Sequence, residues 1–144
     1  MLDQEVVPVC SPLLLEGTDP LESVDQLAKH TLIHFDSPSV DPDWPRWEEY
    51  LQANDILHTN PRRGPRFTSP NFTMQAILAG HGIALMPTMV VDDELQSGRL
   101  IKPFDQPYPG RFGYYALTRR DRLQEPPVAA FRRWLIREAL GPSL

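Results

Sequence analysis

Apolar and polar positions alternate along this chain in two rhythms. Short β-branched or aliphatic runs occupy residues 6–10 (VVPVC), 31–35 (TLIHF), 83–86 (IALM), 100–104 (LIKPF) and 113–118 (GYYALT), and residues 65–69 end in a further extended triplet. Each has strand length and is bounded by turn residues. Helical spacing fills the intervals. Asp19, Pro20 and Glu22 supply a capping oxygen, a first-position proline and a box carboxylate ahead of an apolar face made by Leu21, Val24 and Leu27 or Ala28. Trp44, Trp47 and Leu51 recur at i, i+3 and i+7, with Asp43 as the expected cap. Phe72, Ala76, Ile77 and Ala79 precede Gly80, a residue suited to ending a helix in the left-handed conformation. Val90 and Leu95 predict a shorter helix ended by Gly98. A last helix starts at Pro126 or Pro127 and aligns Val128, Phe131, Trp134 or Leu135, and Glu138 or Ala139.

Strand and helix alternating about five times through short loops predict an α/β fold, a three-layer α/β/α arrangement with a mainly parallel sheet. The chain shows no internal repeat. Its one shift in composition is residues 103–110, PFDQPYPG, where three prolines and a glycine could connect two structural bodies. The strand and helix expected after it are too little to enclose a core, so they must dock onto something else.

Composition narrows the function classes. The 144 residues carry 14 basic and 19 acidic side chains, a formal charge of −5, with 41% hydrophobic and 23% charged residues, which fits a folded domain rather than a disordered chain. The 16 prolines are spread along the sequence as punctuation between short elements. No run approaches the length of a membrane span, and MLDQEVVPVC has none of the pattern of a secretory signal, so a cytoplasmic location and no membrane contact are expected. A lone Cys10 supplies neither a disulfide nor a cysteine cage for zinc. The negative charge, with basic residues scattered, argues against DNA binding by these residues themselves.

Residues 76–87, AILAGHGIALMP, followed by VVDDELQSGRLIKPF, carry a specific resemblance. A helix ends at one glycine, a second glycine starts a strand, a proline closes it, and a short helix ends in Gly-x-Leu before a strand to Pro-Phe. This resembles the effector-binding domain of LysR-type transcriptional regulators. VVPVCSPLLL at 6–15, LIHFD with Trp44 and Trp47, GYYALT at 113–118 and PPVAAFRRWLIREA at 126–139 agree in order. The double-Trp segment is most similar to the subgroup of glycine-cleavage activators and β-lactamase regulators. The resemblance implies a periplasmic-binding-protein type II-like lobe over 1–108, with 109–144 forming the strand and helix that return to the first lobe. It also implies a small-molecule effector, a homo-oligomer, no cofactor, and DNA contact only through an N-terminal domain absent from this chain.

The fold places ligands beyond the carboxyl ends of sheet strands. Cys10 and Ser11 end the first expected strand, His34 the second, and Ser69 and Asn71 lie where the third opens into a helix. A helix start favours a carboxylate, and Ser69 offers a hydroxyl there. The helix start thus makes a small anionic metabolite, such as an amino acid or organic acid, the expected ligand, and by resemblance Ser69 and Tyr115 match residues that line the effector cleft. Plainer readings stand beside these. Ser69 and Pro70 also form an ordinary helix start, and Trp44 and Trp47 fit a core face. Gly80 and Gly82 lack the further glycine and preceding strand of a phosphate loop. His30, His34, His58 and His81 are too dispersed for a metal pair, and no nucleophile and base are clustered, so neither metal nor catalytic residues are expected. The arginines at 62, 63, 66, 119, 120 and 122 read as solvated turn charges. The alternative is a stand-alone solute-binding protein or enzyme of the same architecture. Apolar surface that the first lobe should cover predicts self-association of these residues on their own.

Overall fold

The computed structural model describes residues 2–36 and 44–141, with side chains placed for 5–36, 44–108 and 115–141. They divide into two compact units, one of residues 4–112 and another of 1–3 with 113–144. A five-stranded sheet runs in the order β3-β2-β4-β1-β5, built from β1 (Leu2–Val9), β2 (Leu32–Phe35), β3 (Arg66–Phe67), β4 (Ile83–Pro87) and β5 (Tyr108–Tyr114).

Every central strand is apolar on both faces, as a sheet covered on two sides requires. Val6, Leu32, Ile83 and Leu85 pack with Leu21, Val24 and Leu27 and with Trp47, Tyr50 and Leu51 of α1 (Trp47–Ala53). The alternate residues Val7, Val9, Ile33, Ala84 and Met86 face Ala76 and Ile77 of α2 (Pro70–Leu78) and Val91 of α3 (Thr88–Gln96). This is the three-layer α/β/α arrangement.

Strand direction decides what each sheet edge carries. β2 runs parallel to β3, pairing His34 with Arg66, and parallel to β4, pairing Leu32 with Ile83. β1 is antiparallel to β4, with Val6 opposite Pro87 and Val9 opposite Ala84. The carboxyl ends of β2, β3 and β4 therefore share one edge, and the carboxyl end of β1 lies at the other.

Several elements differ from expectation. The helix anticipated from Asp19 is a 3₁₀ turn over Val24–Lys29. The side chain of Gln26 accepts from the backbone N–H groups of Glu22 and Ser23, at 2.6 and 3.2 Å, which moves the start to Ser23. Residues 100–104 make only a bridge between Ile101 and Cys10, because Pro103 has no N–H to extend a ladder. The last strand starts at Tyr108, earlier than expected, at the outer edge of the sheet where Pro109 costs no inner hydrogen bond. α1 begins at Trp47 rather than near Trp44, since Pro45 disfavours helical geometry for the residue before it. The expected cap Asp43 lies outside the described residues. Phe72 and Val90 were expected on buried faces and are exposed, whereas Thr73 and Val91 are buried in their place. Gly80 and Gly98 have positive φ, +78° and +75°, as their helix-ending positions predict. In the second unit, α4 (Pro126–Leu140) has no buried residue, and Phe131, Trp134, Ile136 and Leu140 are exposed.

Candidate functional site

The edge formed by the carboxyl ends of β2, β3 and β4 is where exposed chemistry gathers. The backbone N–H of Asp36 donates to the Phe67 carbonyl at 2.8 Å, and the next residues carry the chain through Thr68 to Ser69 at the start of α2. The Arg66 guanidinium reaches the Asp36 carboxylate at 3.1 Å, with both side chains 44% exposed. Beside this pair a small, open depression is lined in part by Phe35, Asp36, Trp44, Arg46, Trp47 and Arg66. Trp47 is fixed there by its indole N–H, which donates to the Ile33 carbonyl at 2.9 Å. Trp44 packs edge-on against Phe35, with ring centroids 5.5 Å apart.

His34 also lines this depression, but its imidazole is committed elsewhere. Nε2 lies 3.1 Å from the Arg63 carbonyl, which assigns the proton to Nε2 as donor. The His34 backbone N–H donates to Pro65 O at 3.0 Å, so one residue ties the 63–65 loop to β2 twice. Burial, with the Arg66 charge adding to it, holds this imidazole below the usual histidine pKa. At ordinary pH it is a neutral anchor.

Ser69 caps α2 in extended geometry, without a side-chain capping hydrogen bond; its carbonyl accepts from both the N–H and the hydroxyl of Thr73, at 3.1 and 3.0 Å. Asn71 is exposed in the first turn. Ser69 and Asn71 thus share an edge with His34 and Asp36, although neither lines the depression. Tyr115 belongs to the other unit and is 62% exposed.

Cys10 and Ser11 are not brought to this edge. Their expected place followed from a parallel first strand, and the antiparallel course of β1 carries them to the opposite end of the sheet. Cys10 is fully buried, exchanges two backbone hydrogen bonds with Ile101, and its thiol is pushed up to about 11 by burial. Ser11 is buried and caps a 3₁₀ turn by accepting from Leu13 N–H at 3.2 Å. Both have structural roles. Conversely, Arg46 drew no notice in the sequence, and Arg66 was read there as a solvated turn charge. Arg66 reads as a turn charge until the two-residue β3 sets it opposite His34, and a pairing that short leaves no periodic signal. The missed signal for Trp44 was Pro45, which frees it from the helix face. Among the described residues, no group of three His, Cys, Asp or Glu side chains could hold a metal ion.

These features define a class, a three-layer α/β domain with polar groups gathered at the strand ends. The chain belongs to the LysR substrate binding domain family, whose model matches residues 1–140. It is 34% identical over 134 residues to the glycine cleavage system transcriptional activator of Escherichia coli, covering 93% of this chain and 42% of that protein. It is 34% identical over 93 residues to the HTH-type transcriptional activator AmpR of Providencia stuartii, covering 64% of this chain and 31% of that protein. The effector domain of AmpR from Pseudomonas aeruginosa superposes with a TM-score of 0.68 at 25% identity, covering 96% of this chain and 63% of that one. The chain therefore spans less than half the length of these curated relatives. The relatives are transcriptional regulators rather than enzymes, and the solved effector domains share the mixed α/β architecture seen here.

Proposed function

We infer that this chain is the effector-sensing portion of a LysR-type transcriptional regulator, which takes up a small, anionic metabolite at the open sheet edge and passes that occupancy to transcription. The supporting observation is the family match across residues 1–140, shared with relatives that are transcriptional activators. In this reading residues 1–108 are one lobe and 109–144 return to the other. DNA is contacted by a part of the regulator outside these residues. The assembly is a homo-oligomer in the cytoplasm; among the described residues, no helix is long and apolar enough to cross a membrane.

Mechanism is then linkage rather than chemistry. An effector biases the regulator only by its differential affinity for two arrangements, and that difference sets how strongly DNA binding responds. Ser69 and Asn71 at the start of α2 present polar groups to an anion, and the resemblance nominates Tyr115 as a second contact. The test is calorimetry on the full-length protein with the metabolite that co-purifies with it, identified by mass spectrometry. Ser69→Ala and Tyr115→Phe are each expected to weaken binding about tenfold, the scale of one hydrogen bond to a charged group. Unchanged affinity in both variants would overturn the assignment.

A further inference from the structure

The connector of residues 103–107 carries the chain from the Cys10–Ile101 bridge into β5 and on to residues 113–144. Pro103 and Pro107 have no N–H to give to a sheet, so other groups must fix its course. α1 supplies them. The Tyr50 hydroxyl donates to the Gln106 carbonyl at 2.6 Å. Asn54, at the end of the same helix, accepts from Gln106 Nε2 through Oδ1 and donates from Nδ2 to the Tyr50 carbonyl at 2.8 Å. Gln106 is thus gripped by main chain and side chain, and Phe104 and Tyr108 on either side of it pack against the core cluster that holds Tyr50.

Tyr50 is the informative residue. It is fully buried, where a phenylalanine would pack as well without bringing a hydroxyl that must find a partner. Burial also holds its phenol well above the ordinary tyrosine pKa, so the group keeps its proton to donate. Its ring meets Trp47 edge-on, with centroids 5.5 Å apart and planes at 87°. The Trp47 indole in turn donates to the Ile33 carbonyl, one residue before His34 at the open edge. Contacts therefore run from the carboxyl end of β2 through one seven-residue helix to the connector, and packed chains of this kind carry displacement between sites. We propose that α1 is a rocker that couples the open sheet edge to the chain entering residues 113–144, with Tyr50 and Gln106 as the latch. This coupling holds whatever ligand the edge takes, so its test requires none and stands apart from the effector reading.

A fluorotyrosine in place of Tyr108 in the full-length protein reports the pose of the connector as one fluorine resonance. Trp47→Phe removes the indole donor at the far end of α1 and is expected to displace that resonance. In a Tyr50→Phe background, which deletes only the latch hydroxyl, the displacement caused by Trp47→Phe should fall to less than about half, because contacting residues that act through one another are not additive. A hydroxyl that serves only to satisfy the Gln106 carbonyl would leave the displacement the same in both backgrounds. Asn54→Ala, at the half-buried helix end, should reduce it as well, and it decides the question if Tyr50→Phe fails to fold. Melting temperatures close to the parent's verify the fold of each variant. An equal displacement in the parent and in the latch variants would overturn the proposal, as would the absence of any displacement in the parent.

Discussion

His34 shows how far a residue's role depends on what its neighbours leave open. As a polar residue at a strand end it is a natural ligand contact, and only the position of the Arg63 carbonyl turns it into an anchor for the loop leading to α2. Replacing it with Ala orphans that carbonyl, and a loss of about 1–3 kcal/mol is expected in urea denaturation at pH 7. Its folded pKa lies below the ordinary 6.5, so the unfolded chain takes up the proton first. This contribution is intact above 6.5 and is lost as pH falls from there through the folded value. The parent should lose more stability between pH 7 and pH 5 than His34→Gln does; equal losses would contradict the placement. Gly64 is a second constraint on the same loop. Its φ is +119° and an added Cβ would fall 1.8 Å from the Leu32 carbonyl oxygen, so Gly64→Ala should cost about 2 kcal/mol or more by the same measurement. Neither residue's constraint was legible in the sequence, because each depends on a partner about thirty positions away in the chain. Cys10, placed by the sequence at a strand end as a ligand contact, is instead a fully buried small hydrophobe.

At the scale of elements, period and punctuation carried most of the information. The double-sided apolar runs at β2 and β4 and the glycines after α2 and α3 located those elements to within a residue or two. Face assignment was less secure, and α2 shows why. Counting from Phe72 places that ring inside, but the helix packs through Thr73, Ala76 and Ile77, with the Thr73 hydroxyl satisfied by Ser69 O so that it can be buried. Phe72→Ala should therefore change stability by no more than about 0.5 kcal/mol, and Ile77→Ala should cost about 2–5 kcal/mol, both read from denaturant midpoints. A large loss at Phe72 would put the helix on a different face. Strand direction was the other element-level blind spot. Nothing in VVPVC distinguishes a parallel from an antiparallel strand, so Cys10 and Ser11 were assigned to the wrong sheet edge. Only the register of Val6 with Pro87 and Val9 with Ala84 reveals it.

For the whole molecule, the α/β class and layer order followed from the alternation of elements, whereas the site did not follow from any motif. Ser69 and Asn71 were legible as a helix start. The placing of Arg46 and Arg66 beside Asp36 was not, because the sheet register and a proline bring them together. The second unit exposes Phe131, Trp134, Ile136 and Leu140, and Phe131 and Trp134 have ring centroids 5.5 Å apart. Apolar groups left open in this way drive association. Residues 1–144 on their own should sediment as assemblies at high concentration, and Phe131→Arg with Trp134→Glu should shift them toward monomer; a clean monomer of the parent would contradict this. The central claim is that effector binds at the carboxyl ends of β2, β3 and β4. Amide hydrogen exchange on the full-length protein, with and without the effector that co-purifies with it, tests that claim most directly. Slower exchange at residues 34–36 and 66–73 is the predicted result. Slowing confined to residues 10–16 and 80–83, at the opposite edge, would contradict it.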